Sequence, residues 1–369
     1  MLNTFTSAAV LVLSMFVIVD GIKLKSEGFF EDYFSVSQTR SIKGMCAIFV
    51  MLHHMCAYLG DTFTSLNVFK YVGVLMVSGF FLVSGYGLQY GIMNKKDYLR
   101  GFFSKRLLAL AVPFYIMNIF YIITYYHSDT RSILLTFTGY HVWYIPAIAI
   151  FYICFYICGK LFGAKRVPAA MTVVVFLYML VMNRLHFGFW WYNSCPALAV
   201  GIWVCYGKEA FTNFFKQCYR IKTMILMSIF MVSYTYYHLN ADDTTFMLFT
   251  MTAISTTSFA LLLVVLSMKV QFHNSVLRFC GDVSLEWYLA HLPWVTWFSR
   301  GFWHDLAPSL LDNKTIYFAA IFVGTAVTSV LVHKISGLIL KVFNRNPNKG
   351  VSKTVTRQFR QEGRYNYRE

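Results

Sequence analysis

The chain has 369 residues, of which 57% are hydrophobic and 13% are charged. Soluble globular proteins have about 25% charged residues, so the composition argues against a soluble enzyme, a disordered regulator and a nucleic-acid-binding domain. Long apolar stretches separated by short polar ones indicate a single membrane-embedded body. The formal net charge is +16, from 32 Lys and Arg against 16 Asp and Glu, and its meaning depends on where the excess lies.

Eleven apolar segments approach the ~20 residues that a membrane-spanning helix needs. The first has no basic residues before its apolar core and no convincing A-x-A site after it, so we expect a retained helix and not a cleaved signal. The seventh is short, and we expect it to extend backward through the aromatic run Phe189 to Tyr192. The predicted segments are 2–22, 44–60, 71–91, 107–126, 142–159, 167–183, 195–207, 223–237, 246–268, 284–299 and 316–340.

The basic residues predict the orientation of these segments. If the N-terminus is outside and the C-terminus is inside, 26 Lys and Arg lie in inner segments and only 5 in outer ones. Lys334, near the inner end of the last segment, is not counted. Cytoplasmic loops carry an excess of Lys and Arg, so the sequence predicts an external N-terminus, a cytoplasmic C-terminus and an odd number of helices.

The last residues and the cysteines carry weaker signals. Residues 341–369 are polar and basic, which predicts a cytoplasmic extension that binds anionic lipid headgroups and no nucleic acid. The eight cysteines form no C-x-x-C pair and mostly lie in apolar segments, so they are expected to be small apolar side chains without disulfides. P-loop, GxGxxG, HExxH and GxSxG motifs are absent.

The second segment contains the clearest candidate for chemistry, the stretch KGMCAIFVMLHH from Lys43 to His54. Eleven residues are close to three helical turns, so Lys43 and His54 share one helix face about 16 Å apart. Ionisable residues within spans are candidate functional groups, and neutral histidine can act as a general base. The alternative is that His53 and His54 are a structural polar pair held by neighbouring helices. Lys43 would then be an ordinary basic residue at the cytoplasmic end of its helix.

Six sequence blocks resemble membrane-bound acyltransferase family 3. The first is the second segment itself, where a basic residue, ten residues and a histidine follow one another. The others occur in the family's order. They are FFLVSGYGL at 80–88, YLRGFFSKRLLALAVPF at 98–114, HVWYIPAIAIFY at 141–152, WYNSCPALAVGI at 191–202 and SLEWYLAH at 284–291.

The resemblance implies an all-α, multi-pass membrane enzyme of a bacterial inner membrane. Its ten-helix core would occupy 38–340, after an additional helix and linker at 1–37 and before the tail at 341–369. The implied reaction is O-acylation, most simply O-acetylation. An acyl group passes from cytoplasmic acyl-CoA to a hydroxyl of a cell-envelope polysaccharide or its lipid-linked precursor. Acyl-CoA is then a substrate, and no permanently bound cofactor or metal is expected.

The resemblance assigns His54 to the catalytic histidine, either as general base or as transient acyl carrier. Lys43 occupies a position where the family usually has Arg, and Lys cannot make the planar bidentate contact of a guanidinium. Arg40, three residues earlier, is an alternative if the helix starts early. Donor binding is further expected of Arg106, Ser84 and Tyr86.

Other residues in the blocks are candidates for acceptor contacts or support, namely His53, His141, Tyr144, Asn193, Glu286 and His291. The resemblance makes Asn193 part of a possible glycan platform with Trp191 and Tyr192, although aromatic anchoring at the membrane interface is the simpler role for the tryptophan. Glu286 and His291 are five residues apart and do not share a helix face. A direct dyad between them is not expected, and Glu286 is predicted to orient another residue.

A transporter or flippase of a glycan or carrier lipid is the alternative function, with the buried histidines as a proton relay. Such proteins often contain repeated halves with broken helices at matching positions, and no such symmetry is apparent in this sequence. Release of coenzyme A that depends on added acyl-CoA would distinguish the enzyme from the carrier.

Overall fold

A computed structural model describes residues 2–58, 64–125, 130–240, 246–300, 306 and 313–343. These residues are predominantly helical, and five helices among them are long and apolar enough to cross a membrane. The chain is therefore a multi-pass helical membrane protein. In chain order its helices are α1 (Leu2–Val19), α2 (Val36–Tyr58), α3 (Gly73–Asn94), α4 (Phe102–Tyr125), α5 (Thr130–Thr138), α6 (Tyr144–Arg184), α7 (Pro196–Tyr206), α8 (Lys208–Lys216), α9 (Tyr219–Leu239), α10 (Phe246–Ser267), α11 (Ser275–Asp282), α12 (Ser284–Arg300) and α13 (Lys314–Phe343).

Each apolar segment predicted from the sequence overlaps a helix. Two expectations need correction. The helix α7 does not extend back through the aromatic run, because Phe189–Trp191 forms a separate 3-10 turn and Pro196 begins the helix. Helix α2 begins at Val36, well before residue 44, so Arg40 and Lys43 are both within it. Most of the predicted tail, residues 344–369, lies outside the described residues.

Helix α6 contains two predicted segments and folds back on itself at Gly163. This glycine has φ 69° and ψ 170°, a conformation that is essentially restricted to glycine. The rings of Phe151 and Tyr178 are 4.9 Å apart, whereas a straight helix would separate these residues by about 40 Å. Buried Gln89 of α3 donates to the carbonyl of Ala164 at 3.0 Å, which satisfies a backbone group beside the break.

The connections predicted to be cytoplasmic meet at one end of the bundle. Strands β1 (Ile22–Leu24) and β2 (Val270–Phe272) pair antiparallel there. Gln38 is buried beside them, donating to Ser267 Oγ at 3.1 Å and accepting from the Phe272 amide at 2.9 Å. Asn274 caps α11 by accepting from two backbone amides. We refer to this as the predicted cytoplasmic end.

The connections predicted to be external meet at the opposite end. Thr6 at the start of α1 bonds Thr315 at the start of α13, with 2.7 Å between the hydroxyls. The ring of Tyr71, in the connection before α3, is 4.0 Å from that of His238, in the last turn of α9. These contacts place the starts of α1 and α13, the residues before α3 and the last turn of α9 at the same end of the bundle. We refer to this as the predicted outer end, since the charge distribution predicts which side it faces.

Helices pack closely in the interior where glycine removes a side chain. A Cβ at Gly85 would overlap the carbonyl of Leu198 on α7, and one at Gly201 would overlap that of Leu82 on α3. Gly85 is therefore a helix-packing residue. Six of the eight cysteines are buried and all eight are free thiols, as expected of small apolar side chains.

Candidate active site

Helix α2 places the two principal candidates in one continuous element. It has no interruption between Lys43 and His54, so their shared face and separation of about 16 Å follow from helix geometry. Lys43 is near the predicted cytoplasmic end. His54 lies towards the predicted outer end, where the helix faces α12.

His54 is the centre of a cluster of three histidines. Its ring centroid is 5.1 Å from that of His291 on α12 and 4.8 Å from that of adjacent His53. His291 is 2% exposed, and its Nδ1 contacts the Trp287 carbonyl at 3.3 Å. Its buried Nε2 has no hydrogen-bond partner among the described residues. An imidazole nitrogen beside His54 is therefore available to orient His54 or a substrate.

His53 has a different environment, as its direction on the helix predicts. Its Nδ1 lies 3.2 Å from the carbonyl of Phe69, in the 3-10 helix Thr64–Tyr71. Gly73 leaves room for the ring, because a Cβ there would overlap it. This contact fixes the connection that forms one wall of the site.

A cavity of about 560 Å³ opens beside these histidines at the predicted outer end. We call it the histidine cavity. His53, His54, His141 and Asn193, which come from three distant parts of the sequence, all line it. Aromatic rings form much of the remaining wall, including those of Tyr71, Tyr140, Trp143, Trp190 and Tyr288. Flat rings with a few polar groups suit a polar ligand that has apolar faces, such as a sugar.

The structure separates the residues of the aromatic run. Trp190 lines the histidine cavity, whereas Trp191 and Tyr192 do not and are each only 6% exposed. Trp191 packs against Phe187 with ring centroids 4.9 Å apart. The available aromatic platform is therefore Trp190, which the sequence analysis did not select.

His141 is in the short 3-10 turn Tyr140–Val142 at the cavity rim. Partial desolvation lowers the pKa of His141 below its usual value. The imidazole of His141 is consequently neutral at pH 7, so its ring can donate one hydrogen bond and accept another.

Hydroxyl groups continue from the histidines towards the other end of the bundle. Tyr288 packs between His291 and Tyr144, with ring centroids 5.7 and 5.4 Å away. Ser84 lies beside both Tyr144 and Tyr152 and interacts with each of them. Tyr144 is 8% exposed and does not line the cavity, which separates it from His53, His141 and Asn193.

Arg106 completes this polar column at the predicted cytoplasmic end. Its Nη2 donates to the Tyr98 hydroxyl at 3.0 Å, and its guanidinium also interacts with Tyr152. Arg106 and Ser84, both predicted to bind the donor, are therefore joined through one tyrosine. The column runs from Arg106 through Tyr152, Ser84, Tyr144 and Tyr288 to His291.

Three cations meet where the column begins. Arg40 pairs with Asp282, with 2.9 Å between Nε and Oδ1. Lys43 and Arg106 interact electrostatically with each other, and neither forms an ion pair with any described residue. These two cations are therefore better placed than Arg40 to bind an anionic ligand.

Glu286 is a buried hydrogen-bond partner, as predicted, but its partner was not anticipated. The Oε1 atom of Glu286 lies 2.9 Å from Nδ1 of His333 on α13, and the two groups form a hydrogen bond. Glu286 does not form a dyad with His291. His333 has no motif around it in the sequence, and only the packing of α12 on α13 identifies it. Glu286 also interacts electrostatically with Lys43.

Tyr86 lies away from these groups. It packs against Phe34, with ring centroids 4.8 Å apart, and is 8% exposed. Residues that are two positions apart in a helix point in directions that differ by about 200°, so Tyr86 and Ser84 lie on different faces of α3. The environment of Tyr86 is that of a core side chain.

The fold and site define a multi-pass helical membrane protein with a histidine-lined cavity at one end and cations at the other. A family model described as an acyltransferase domain matches residues 40–334. The chain belongs to acyltransferase family 3 and is an acyltransferase. No curated protein and no solved structure gives a significant match.

Proposed function

We propose that this protein is an O-acetyltransferase of a cell-envelope glycan or its lipid-linked precursor, with acetyl-CoA as donor. The observation that carries the proposal is the connection of two different environments by one polar column. At one end Lys43 and Arg106 present cations that form no ion pair with a described residue, and such cations suit the phosphates of coenzyme A. At the other end His54 faces an aromatic cavity that suits a sugar.

The reaction needs a base beside the acceptor hydroxyl. In the direct route, His54 takes the hydroxyl proton while the oxygen attacks the thioester carbonyl carbon. A C–O bond forms, the C–S bond breaks, and His54 returns the proton to the leaving thiolate. In the alternative route, the acyl group first bonds a nitrogen of His54 and then passes to the hydroxyl. His291 acts as a positioning residue for His54 in both routes.

The function is tested with the full-length protein purified into lipid nanodiscs. Acetyl-CoA and an envelope glycan fraction are added, and released coenzyme A is measured with a thiol reagent while the glycan is analysed by mass spectrometry. We expect coenzyme A release that depends on the glycan, with a gain of one acetyl mass. Movement of glycan across the bilayer without coenzyme A release would instead identify a carrier.

Replacing Lys43 with glutamine is expected to raise the KM for acetyl-CoA by about tenfold, the effect of losing one charge-assisted phosphate contact. The value of kcat should change little, because Lys43 is about 16 Å from His54. Lys43→Arg should keep or improve the affinity. Lys96→Gln removes an exposed cation near the same end and is the matched control. Equal KM values for Lys43→Gln and Lys96→Gln would contradict a donor contact.

A further inference from the structure

A second cavity, of about 550 Å³, adjoins the histidine cavity at the predicted outer end. It lies between the end of α6, the turn that follows it and α10. Phe189 and Asn193 line both cavities. A ligand that extends from the histidine cavity past these two residues would therefore enter the second one.

Asn193 provides an unsatisfied donor between the two cavities. The residue is 3% exposed, and its Oδ1 accepts from Ser194 Oγ at 3.2 Å. Its buried Nδ2 has no hydrogen-bond partner among the described residues. Leaving a buried amide donor unpaired is unfavourable, and an oxygen of a ligand would satisfy it.

Arg184 adds a positive charge to the same cavity. It is one of only five Lys and Arg in the segments predicted to be external, so membrane orientation does not account for it. The guanidinium makes no ion pair with any residue that the structure describes, and none of the described lining residues is acidic. Its planar donors match carboxylate and phosphate groups.

His186 follows the last turn of α6 with a left-handed backbone conformation. Helix α6 ends with the His186 amide bonded to Asn183 O and the Phe187 amide to Met182 O, both at 3.1 Å. His186 has φ 58°, at a position where helices commonly place glycine or asparagine. The imidazole of His186 lines the cavity and adds a polar side chain to its wall.

We propose that the second cavity binds an anionic group, a carboxylate or a phosphate, on the saccharide whose hydroxyl is presented to His54. Arg184 binds the charge, and Asn193 Nδ2 and His186 donate to its oxygens or to neighbouring hydroxyls. The acceptor is then an acidic glycan. The identity of this saccharide as the acceptor rests on the proposed function, whereas the anion site itself does not.

The site is tested by calorimetric binding of saccharides to the full-length protein in nanodiscs. Three trisaccharide probes are compared. One contains a uronic acid, one has that carboxylate reduced to the neutral alcohol, and one carries a phosphate monoester at the same position. We expect at least one anionic probe to bind about tenfold more tightly than the neutral one, the value of a charge-assisted contact. The tighter anionic probe identifies the group.

Arg184→Gln should abolish that preference and Arg184→Lys should reduce it. Lys314→Gln changes a cation at the same end that lines neither cavity, and it should leave the preference intact. Asn193→Asp, which is nearly isosteric, should weaken anionic binding by placing a carboxylate where the donor was. Equal binding of all three probes, an unchanged preference in Arg184→Gln, or no binding of either anionic probe would overturn the inference.

The same measurements separate this site from the proposed reaction. His54→Ala should keep the anionic preference. If the wild-type protein shows that preference but transfers no acetyl group, the proposed function fails and the anion site stands. If it acetylates glycans with no preference for anionic probes, the reverse holds.

Discussion

Replacing His54 with alanine is expected to lower the rate of acetyl transfer by about 10²- to 10⁴-fold, the usual contribution of a general base. His54 lines the histidine cavity and lies against His291. No other imidazole of the cluster has the same position, since His53 is held by the Phe69 carbonyl. The initial rate of coenzyme A release by the purified protein measures the effect, and the loss should fall on kcat and not on the KM for acetyl-CoA.

Two variants are controls for this measurement. His54→Gln keeps a polar side chain of similar size but cannot take the proton, so it should be as inactive as alanine. His53→Ala removes the neighbouring imidazole and should cost much less activity. All variants should be present in the membrane at the level of the wild type. Substantial transfer by His54→Ala would remove this residue from the mechanism.

The two chemical routes through His54 differ before any acceptor is added. An acyl carrier releases coenzyme A once per protein molecule in the absence of glycan, and it retains the label of radioactive acetyl-CoA. A general base does neither, because the hydroxyl is the nucleophile. Rapid mixing of the wild-type protein with labelled acetyl-CoA alone therefore distinguishes them.

The sequence was sufficient to predict the helices that contain the eleven apolar segments, because each such segment is determined by its own composition. The membrane requires every backbone polar group to be bonded within the segment, so local hydropathy and helix formation coincide. The prediction failed for Phe189 to Tyr192, where a run of aromatic residues does not imply a helix. Tryptophan and tyrosine rings also pack well in turns, and here Trp191 is buried by Phe187.

The candidate site was only partly predictable, for a related reason. The face shared by Lys43 and His54 follows from the period of one helix. Contacts between helices do not, and the column from Ser84 through Tyr144 to Tyr288 depends on the packing of α3, α6 and α12. The bond between Glu286 and His333 likewise joins residues without a common motif.

The structure sharpens the meaning of the charge distribution. In the sequence, the excess of Lys and Arg predicts orientation first and attraction of an anionic cytoplasmic donor second. In the fold, Arg40 is neutralised by Asp282, whereas Lys43 and Arg106 are not paired with any described carboxylate. The excess of positive charge at the predicted cytoplasmic end thus includes two cations, Lys43 and Arg106, that helix packing places at the start of the polar column.

Replacing Gly85 with alanine is expected to lower the thermal stability of the protein by several degrees and reduce its yield. The added Cβ would overlap the carbonyl oxygen of Leu198, part of rigid helix backbone. Helices α3 and α7 would have to separate, and overpacking of this kind costs about 1–3 kcal/mol or more. Melting of the purified protein, followed by the fluorescence of a thiol-reactive dye, measures the change.

Gly87 provides a matched control two residues along the same helix. Nothing lies within 4 Å of a Cβ at that position, so Gly87→Ala introduces the same atom without a clash. Alanine is favoured over glycine in a helix by about 1 kcal/mol, and Gly87→Ala should therefore melt at the wild-type temperature or slightly above it. Equal melting of the two variants would mean that α3 and α7 do not pack as closely as the structure indicates. Because α3 carries Ser84, a stable Gly85→Ala protein in which the two helices had separated should also lose acetyl transfer, while Gly87→Ala keeps it.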